Sequence, residues 1–294
     1  MISASLGSGN GDTMKVTVLL ENNSLFGTRY YAEHGFSLYI EDEQTRILYD
    51  TGYSDPFLRN AIKMGIDLTQ LDYVVISHAH RDHSGGLKYL IKYYQDNAVM
   101  HRPTLLMTGP EIFYRRRFIN EENRECGIDT DRDVLEKYFK LEFEPNVRWL
   151  TSNLAYLGKI PRLNSFEGKV PQTPKILIDG KWEDDYVYDD TQLAYRHKNG
   201  TEVSVLSGCS HAGICNIMEY AKKVTGAEQI HTFLGGLHLQ APPEEVIAGT
   251  VEYVKNANVK QFYACHDTDM PSKLRLIPVS NFIEAGVSTK VELI

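Results

Sequence analysis

The sequence is poor in cysteine. Four thiols, Cys126, Cys209, Cys215 and Cys265, are spread over 294 residues with no Cys-X-X-Cys pair. This usage argues against a disulfide framework and predicts reduced thiols in a cytoplasmic protein. Basic residues are also outnumbered, 31 to 39, for a formal net charge of −8. A general nucleic-acid binder needs a basic face for its phosphate contacts, so that class is excluded. A small anionic substrate is not, because a bound metal ion dominates the charge of its own pocket. No apolar run approaches the ~20 residues of a membrane span, so no membrane partner is expected. No solenoid-type repeat is present either. The opening stretch, Met1 to Thr13, is rich in Gly, Ser and Asn and lacks the basic and apolar regions of a secretory signal. It is expected to be a flexible leader before one domain spanning 14–294. Nothing in the sequence fixes an oligomeric state.

Composition is otherwise that of an enzyme with a large core: 42% hydrophobic, 24% charged and a mean hydropathy of −0.33. Against this background the ten histidines are unevenly placed. The stretch Ser77-His78-Ala79-His80-Arg81-Asp82-His83-Ser84-Gly85-Gly86 holds three imidazoles and a carboxylate within six positions. The apolar run Tyr73-Val74-Val75-Ile76 leads into it and an amphipathic segment follows, which places the cluster in a strand-to-helix loop. His78 and His80 are two apart, so on extended backbone their rings share a side. Imidazole and carboxylate suit zinc first, with iron or manganese as alternatives.

The same placement recurs. Strand-like runs lead into Gly208-Cys209-Ser210-His211, into Gly235-Gly236-Leu237-His238 and into Cys265-His266-Asp267. Three histidines delivered alike point to one convergent site. Asp50-Thr51-Gly52 closes an earlier strand; Asp50 reads as a hydrogen-bond partner that orients a ligand imidazole. Pro56 to Met64 reads as a helix stopped by Gly65. Gln192 to His197 and Thr201 to Leu206 form a hairpin. The charge-rich segment 111–144 is expected to be a helical insertion over the site edge. Its run Arg115-Arg116-Arg117 offers guanidinium groups to a phosphate, with Arg116 the candidate contact.

The hexapeptide His-X-His-X-Asp-His resembles the signature of the metallo-β-lactamase superfamily, whose α/β fold is a four-layered αββα sandwich. Further motifs narrow the resemblance: Ala32-Glu33-His34-Gly35, Asp50-Thr51-Gly52, Gly158-Lys159-Ile160-Pro161-Arg162, Asp189-Asp190, Gly208 to Gly213 and Gly235 to Leu239. Together they are similar to the dihydropterin-methyl-aminobenzene ribosyl phosphate synthases, whose relatives are often called metal-dependent hydrolases. The resemblance implies one or two divalent metals per chain. His78, His80 and His211 would hold the first, and Asp82, His83 and His266 the second. It also implies a phosphorylated small-molecule substrate, met by Arg162, Arg116 or His238, with Asp82, His34 and His238 close to the chemistry. Alternatives are a thioesterase- or lactonase-type hydrolase, or a non-flavin redox or metal-binding protein of the same fold.

Two departures stand out. The subgroup usually has His-Cys-Thr-Gly where this chain has His266-Asp267-Thr268-Asp269, an acidic pair expected to add negative charge beside the metals and so to raise metal affinity, repel an anionic substrate or change the substrate. Dinuclear relatives place a bridging aspartate after the strand that here ends in His238, and no acid lies between His231 and Gln240. The expectation is an absent anionic bridge and two unequal metal positions.

Overall fold

The computed structural model describes residues 13–119 and 123–294; all but the last residue of the expected leader lies outside them. The first half lays down β1 (Met14–Leu20), β2 (Ser37–Asp42), β3 (Thr45–Tyr49), β4 (Tyr73–Val75) and β5 (Thr104–Met107). Between them run α1 (Pro56–Met64), α2 (Arg81–Ser84) and α3 (Leu87–Asp96). Then come β6 (Arg116–Arg117), α4 (Arg132–Tyr138) and β7 (Lys140–Phe143). The second half has β8 (Arg148–Trp149), β9 (Leu154–Tyr156), β10 (Lys175–Ile178), β11 (Lys181–Asp184), β12 (Leu193–Arg196) and β13 (Glu202–Ser207). It continues through α5 (Ile214–Thr225), β14 (Gln229–Gly235), α6 (Glu244–Ala257), β15 (Gln261–Ala264), α7 (Met270–Leu276) and β16 (Lys290–Leu293).

These strands form a seven-stranded sheet ordered β16-β1-β2-β3-β4-β5-β7 and a six-stranded sheet ordered β15-β14-β13-β12-β9-β8. A small third sheet, β11-β10-β6, lies apart from both. Alternation along each strand explains the layering. Val75 and Leu206 face the space between the two large sheets, with Val16, Leu38 and Tyr195. Val74 faces the other way, toward Phe57, Leu87 and Leu90 on α1 and α3. Val203 and Val205 face Ile217 and Met218 on α5. Three apolar cores thus separate four layers, helix–sheet–sheet–helix, as expected from the sequence.

Helix α1 starts with Pro at its first position and ends at Gly65, whose φ of +72° lets its N–H close onto the Ala61 and Ile62 carbonyls. In the segment 111–144 the structure differs from expectation. Among its described residues it carries one α-helix, α4, and its last strand, β7, pairs in parallel with β5 as an edge of the main sheet. The apolar signal there is weak because β7 is an edge strand, with residues of intermediate burial from Leu141 to Phe143.

Strand direction positions the site. β3, β4 and β5 are mutually parallel, as are β13, β14 and β15. Their carboxyl ends deliver Asp50, His78, Cys209 and His211, His238 and His266 to one edge of the sandwich, the usual place for sites in parallel sheets.

Candidate metal centre

Asp50 organises the histidine loop. Its φ of +58° turns the chain after β3, and its fully buried carboxylate takes hydrogen bonds from three groups. Ser77 N–H donates to Oδ1 at 2.7 Å, Ser77 Oγ to Oδ2 at 2.8 Å, and His83 Nδ1 to Oδ2 at 2.7 Å. Donation from Nδ1 leaves the Nε2 lone pair of His83 facing the cluster. The Ser77 hydroxyl also lies 2.9 Å from His78 Nδ1. His266 is fixed likewise: its Nδ1 lies 2.7 Å from Asn22 Oδ1, and its Nε2 is 3.1 Å from Asp82 Oδ2.

The rings converge. His78, His80 and His211 have centroids 4.5 to 4.9 Å apart, and each offers a nitrogen within 4.8 Å of the others. His78 and His211 bring their Nε2 atoms to 3.1 Å. His80 Nε2, His83 Nε2 and His211 Nδ1 are buried without a hydrogen-bond partner. Burial, the largest influence, depresses His78 and His211 well below the usual imidazole value and His80 to about 4. All three are therefore neutral, the form that ligates metal. Buried lone pairs turned toward one another fit a bound cation; as a closed hydrogen-bond network they would be unsatisfied.

Beside this triad lies an anionic half. Burial would raise Asp82, but His83 and the hydrogen bonds from His266 and His34 outweigh it and hold the carboxyl well below its ordinary value. Asp267 behaves in the same way. Burial opposes its charge, and His266 and His238 more than offset that. Cys209 Sγ is buried between the halves. It belongs with His78 and His83, with His211 and His238, and with His266 and Asp267 in groups whose candidate ligand atoms lie within 4.8 Å. Sequence reasoning missed Cys209 as a site residue and read Asp267 only as added negative charge beside the metals. The available signal was their position, at or just past a strand's carboxyl end beside a ligand histidine.

The remaining expectations divide. His34 stands half-exposed at the rim, its Nε2 3.2 Å from Asp82. His238 lies with its ring 4.2 Å from that of His211 and its Nε2 2.5 Å from Gln172 Oε1. Arg116 is not at the site surface. It is 1% exposed, with Nε donating to Asp185 and Nη2 to Asp189, each at 2.7 Å. Both faces of the guanidinium are thus used internally, and no substrate can reach it. Its role is support: Asp189 in turn accepts the Ala79 N–H inside the histidine loop. Asp190 does the same for Ala212 N–H, next to His211. Arg162 is likewise engaged, donating to the carbonyls of Gly168, Tyr186 and Val187 and stacking on Tyr188. It lines neither cavity at the cluster.

The cluster opens into a cavity of about 370 Å³ whose walls include His34, Tyr53, Arg81, Phe118 and Arg124. A second cavity of about 300 Å³, lined by apolar groups such as Phe166, Val170 and Leu237 and by polar ones such as Glu167 and Ser210, shares Gln172, Thr173, His238 and Gln240 with the first. A larger cavity, about 690 Å³ beside α5 and α6, includes none of the clustered histidines.

The family model of the metallo-β-lactamase superfamily matches residues 30–199. The chain belongs to the metallo-β-lactamase superfamily. An uncharacterized protein of Methanocaldococcus jannaschii is 30% identical over 275 residues, covering 92% of this chain and 97% of the relative. The 7,8-dihydropterin-6-methyl-4-(β-D-ribofuranosyl)-aminobenzene-5′-phosphate synthase of the same organism is 28% identical over 276 residues, 88% of this chain and 89% of that one. A crystal structure described as a metal-dependent hydrolase of the β-lactamase superfamily superposes with a TM-score of 0.77 at 27% identity, covering 95% of this chain and 98% of the other. The superfamily fold and the buried ligand clusters together make this a metal-dependent enzyme. Among the described residues no helix is long and apolar enough to cross a membrane.

Proposed function

We propose that this metallo-β-lactamase-fold enzyme acts on a small phosphorylated substrate, either joining two molecules with loss of diphosphate, as a synthase would, or hydrolysing a phosphate ester. The observation that carries the reading is the juxtaposition of neutral buried imidazoles with a cavity whose wall presents Arg81 and Arg124. Similarity to the synthase supports the first form; similarity to the hydrolase structure supports the second.

His78, His80 and His211 would hold one divalent ion, and Asp82, His83 and His266 a second, with zinc the first choice and iron or manganese the alternatives. The chemistry such ions supply is Lewis-acid: charge for an anionic leaving group and polarisation of a phosphoryl or carbonyl oxygen. The protein's own residues do the rest. Asp50, Ser77 and Asn22 fix the tautomer and direction of the ligand rings. Arg81, whose Nε lies 3.8 Å from Asp129, and Arg124, stacked on Phe118, line the first cavity and could orient an entering phosphate from there. His34, at the rim, can donate a hydrogen bond to that group. The second cavity, of mixed polar and apolar lining, adjoins the first across the Gln172–His238 pair and offers room for a second part of a substrate.

The test is a metal assay on protein purified without added metal, followed by a substrate panel. The panel pairs a dihydropterin methyl diphosphate with a ribosylaminobenzene phosphate, and adds phosphoesters, thioesters and lactones. Activity on phosphorylated compounds with competition by millimolar diphosphate is expected. Turnover confined to neutral lactones or thioesters, indifferent to diphosphate, would reject the reading.

A further inference from the structure

The second expected metal position contains a donor that the motif does not supply. Asp267 follows His266 directly, and its φ of +50° folds the side chain back into the site. One carboxylate oxygen is fixed from outside: Gln240 Nε2 donates to Oδ1 at 2.8 Å. The other, Oδ2, lies 3.5 Å from His238 Nδ1, 3.5 Å from Cys209 Sγ and 3.7 Å from His266 Nε2. The group is 14% exposed, and no Lys or Arg is paired with it among the described residues. Opposite it stands Asp82 Oδ2, 3.1 Å from the same His266 nitrogen and 3.7 Å from the unpartnered Nε2 of His83.

A carboxylate with one oxygen held by an amide and the other turned toward two imidazole nitrogens and a thiol, Cys209 and His266 among them forming a candidate ligand group with it, has the arrangement of an oriented metal ligand. The backbone supports the same aim. Leu239 N–H donates to the Asp267 carbonyl at 2.7 Å, tying this turn to the His238 loop. The stretch from β14 to His238 carries no acid, and Asp267 brings one beside His238 from the neighbouring loop.

Resting on the reading that the histidine cluster binds metal, we propose that Asp267 Oδ2 is a direct ligand of the cation held by Asp82, His83 and His266, with Gln240 as its positioning residue. The two positions then differ in kind. One is lined by His78, His80 and His211; the other has two carboxylates. Oxygen donors are harder than imidazole, so the second position discriminates less strongly for zinc over manganese or ferrous iron than the first.

The experiment is a titration of the metal-free protein with zinc and with manganese, following stoichiometry and affinity by calorimetry and the manganese by its magnetic resonance. Wild type is compared with Asp267→Asn, Gln240→Ala and Asp267→Cys. Asn tolerates left-handed backbone, so Asp267→Asn keeps the turn and removes the charge; matching circular dichroism of the metal-free proteins confirms it. Asp267→Asn should weaken the second equivalent by on the order of a hundredfold and leave the first unchanged, with Gln240→Ala nearer tenfold. Asp267→Cys should recover zinc but not manganese, and with cobalt should show a thiolate charge-transfer band. Two metals bound by Asp267→Asn with wild-type affinities would overturn the assignment while leaving the metal reading intact. A wild-type protein that binds no divalent ion would overturn both.

Discussion

The Asp50 carboxylate lies 2.7 Å from Nδ1 of His83, thirty-three residues further along the chain, and both side chains are wholly buried. The same carboxylate holds Ser77 through backbone and hydroxyl. One acid therefore sets both the tautomer of a ligand ring and the path of the loop carrying the others. Replacing it with Ala should lower metal affinity by on the order of 10–100-fold. The buried donors left behind should cost about 1–3 kcal/mol of stability in the metal-free protein. Metal titration and urea unfolding measure the two effects separately.

Arg116 gives a contrasting case. Arg116→Ala leaves the Asp185 and Asp189 carboxylates buried and unpaired, which should cost about 3–5 kcal/mol. Arg115→Ala, removing an exposed ion pair with Glu125, should stay within about 0.5 kcal/mol. Shifts of the urea midpoint at constant slope distinguish the two. Equal effects would show that Arg116 is not held as described.

Removal of metal should destabilise the fold. Binding to the native state at a thousand times Kd contributes about 4 kcal/mol, which for a chain of this size is a fall in Tm on the order of 10 °C after chelation. The fall should reverse on adding metal and be absent in His78→Ala with His80→Ala.

A pH dependence is expected away from the site. His197 is held between Ser204 Oγ at 2.7 Å and the Ile294 carbonyl at 2.6 Å; burial, with His231 nearby, lowers its pKa below the ordinary 6.5. The folded state therefore favours the neutral ring. Its stabilisation is complete above pH 6.5 and is lost as the pH falls through the lower folded value. Stability of the wild type relative to His197→Gln should decline as pH is lowered from 7, read by urea unfolding at each pH.

The parts legible in sequence were those whose signal is local. His78 to His83 announce a ligand loop by residue type, and Val74 and Val75 announce a strand covered on both faces. Pro56 and Gly65 bracket a helix by backbone chemistry alone. What could not be read depends on distant partners. Three successive arginines look equivalent, yet strand pairing with β10 turns Arg116 inward while Arg115 and Arg117 lie against Trp182. Only the fold brings Asp185 and Asp189 to meet it. Asp267 looked like added loop charge because nothing local reveals a left-handed turn that returns its carboxylate to the site.

The span of the contacts also fixes when the centre can exist. His266 is steadied by Asn22 from 244 residues away, and β16 closes the sheet against β1. A growing chain that has just presented His78 to His83 therefore has a loop of donors but no pocket. Ribosome-bound intermediates can hold an ion there only weakly. The His78, His80 and His211 group is complete only once the chain has passed β13, and the part carrying His266 only once it has passed β15.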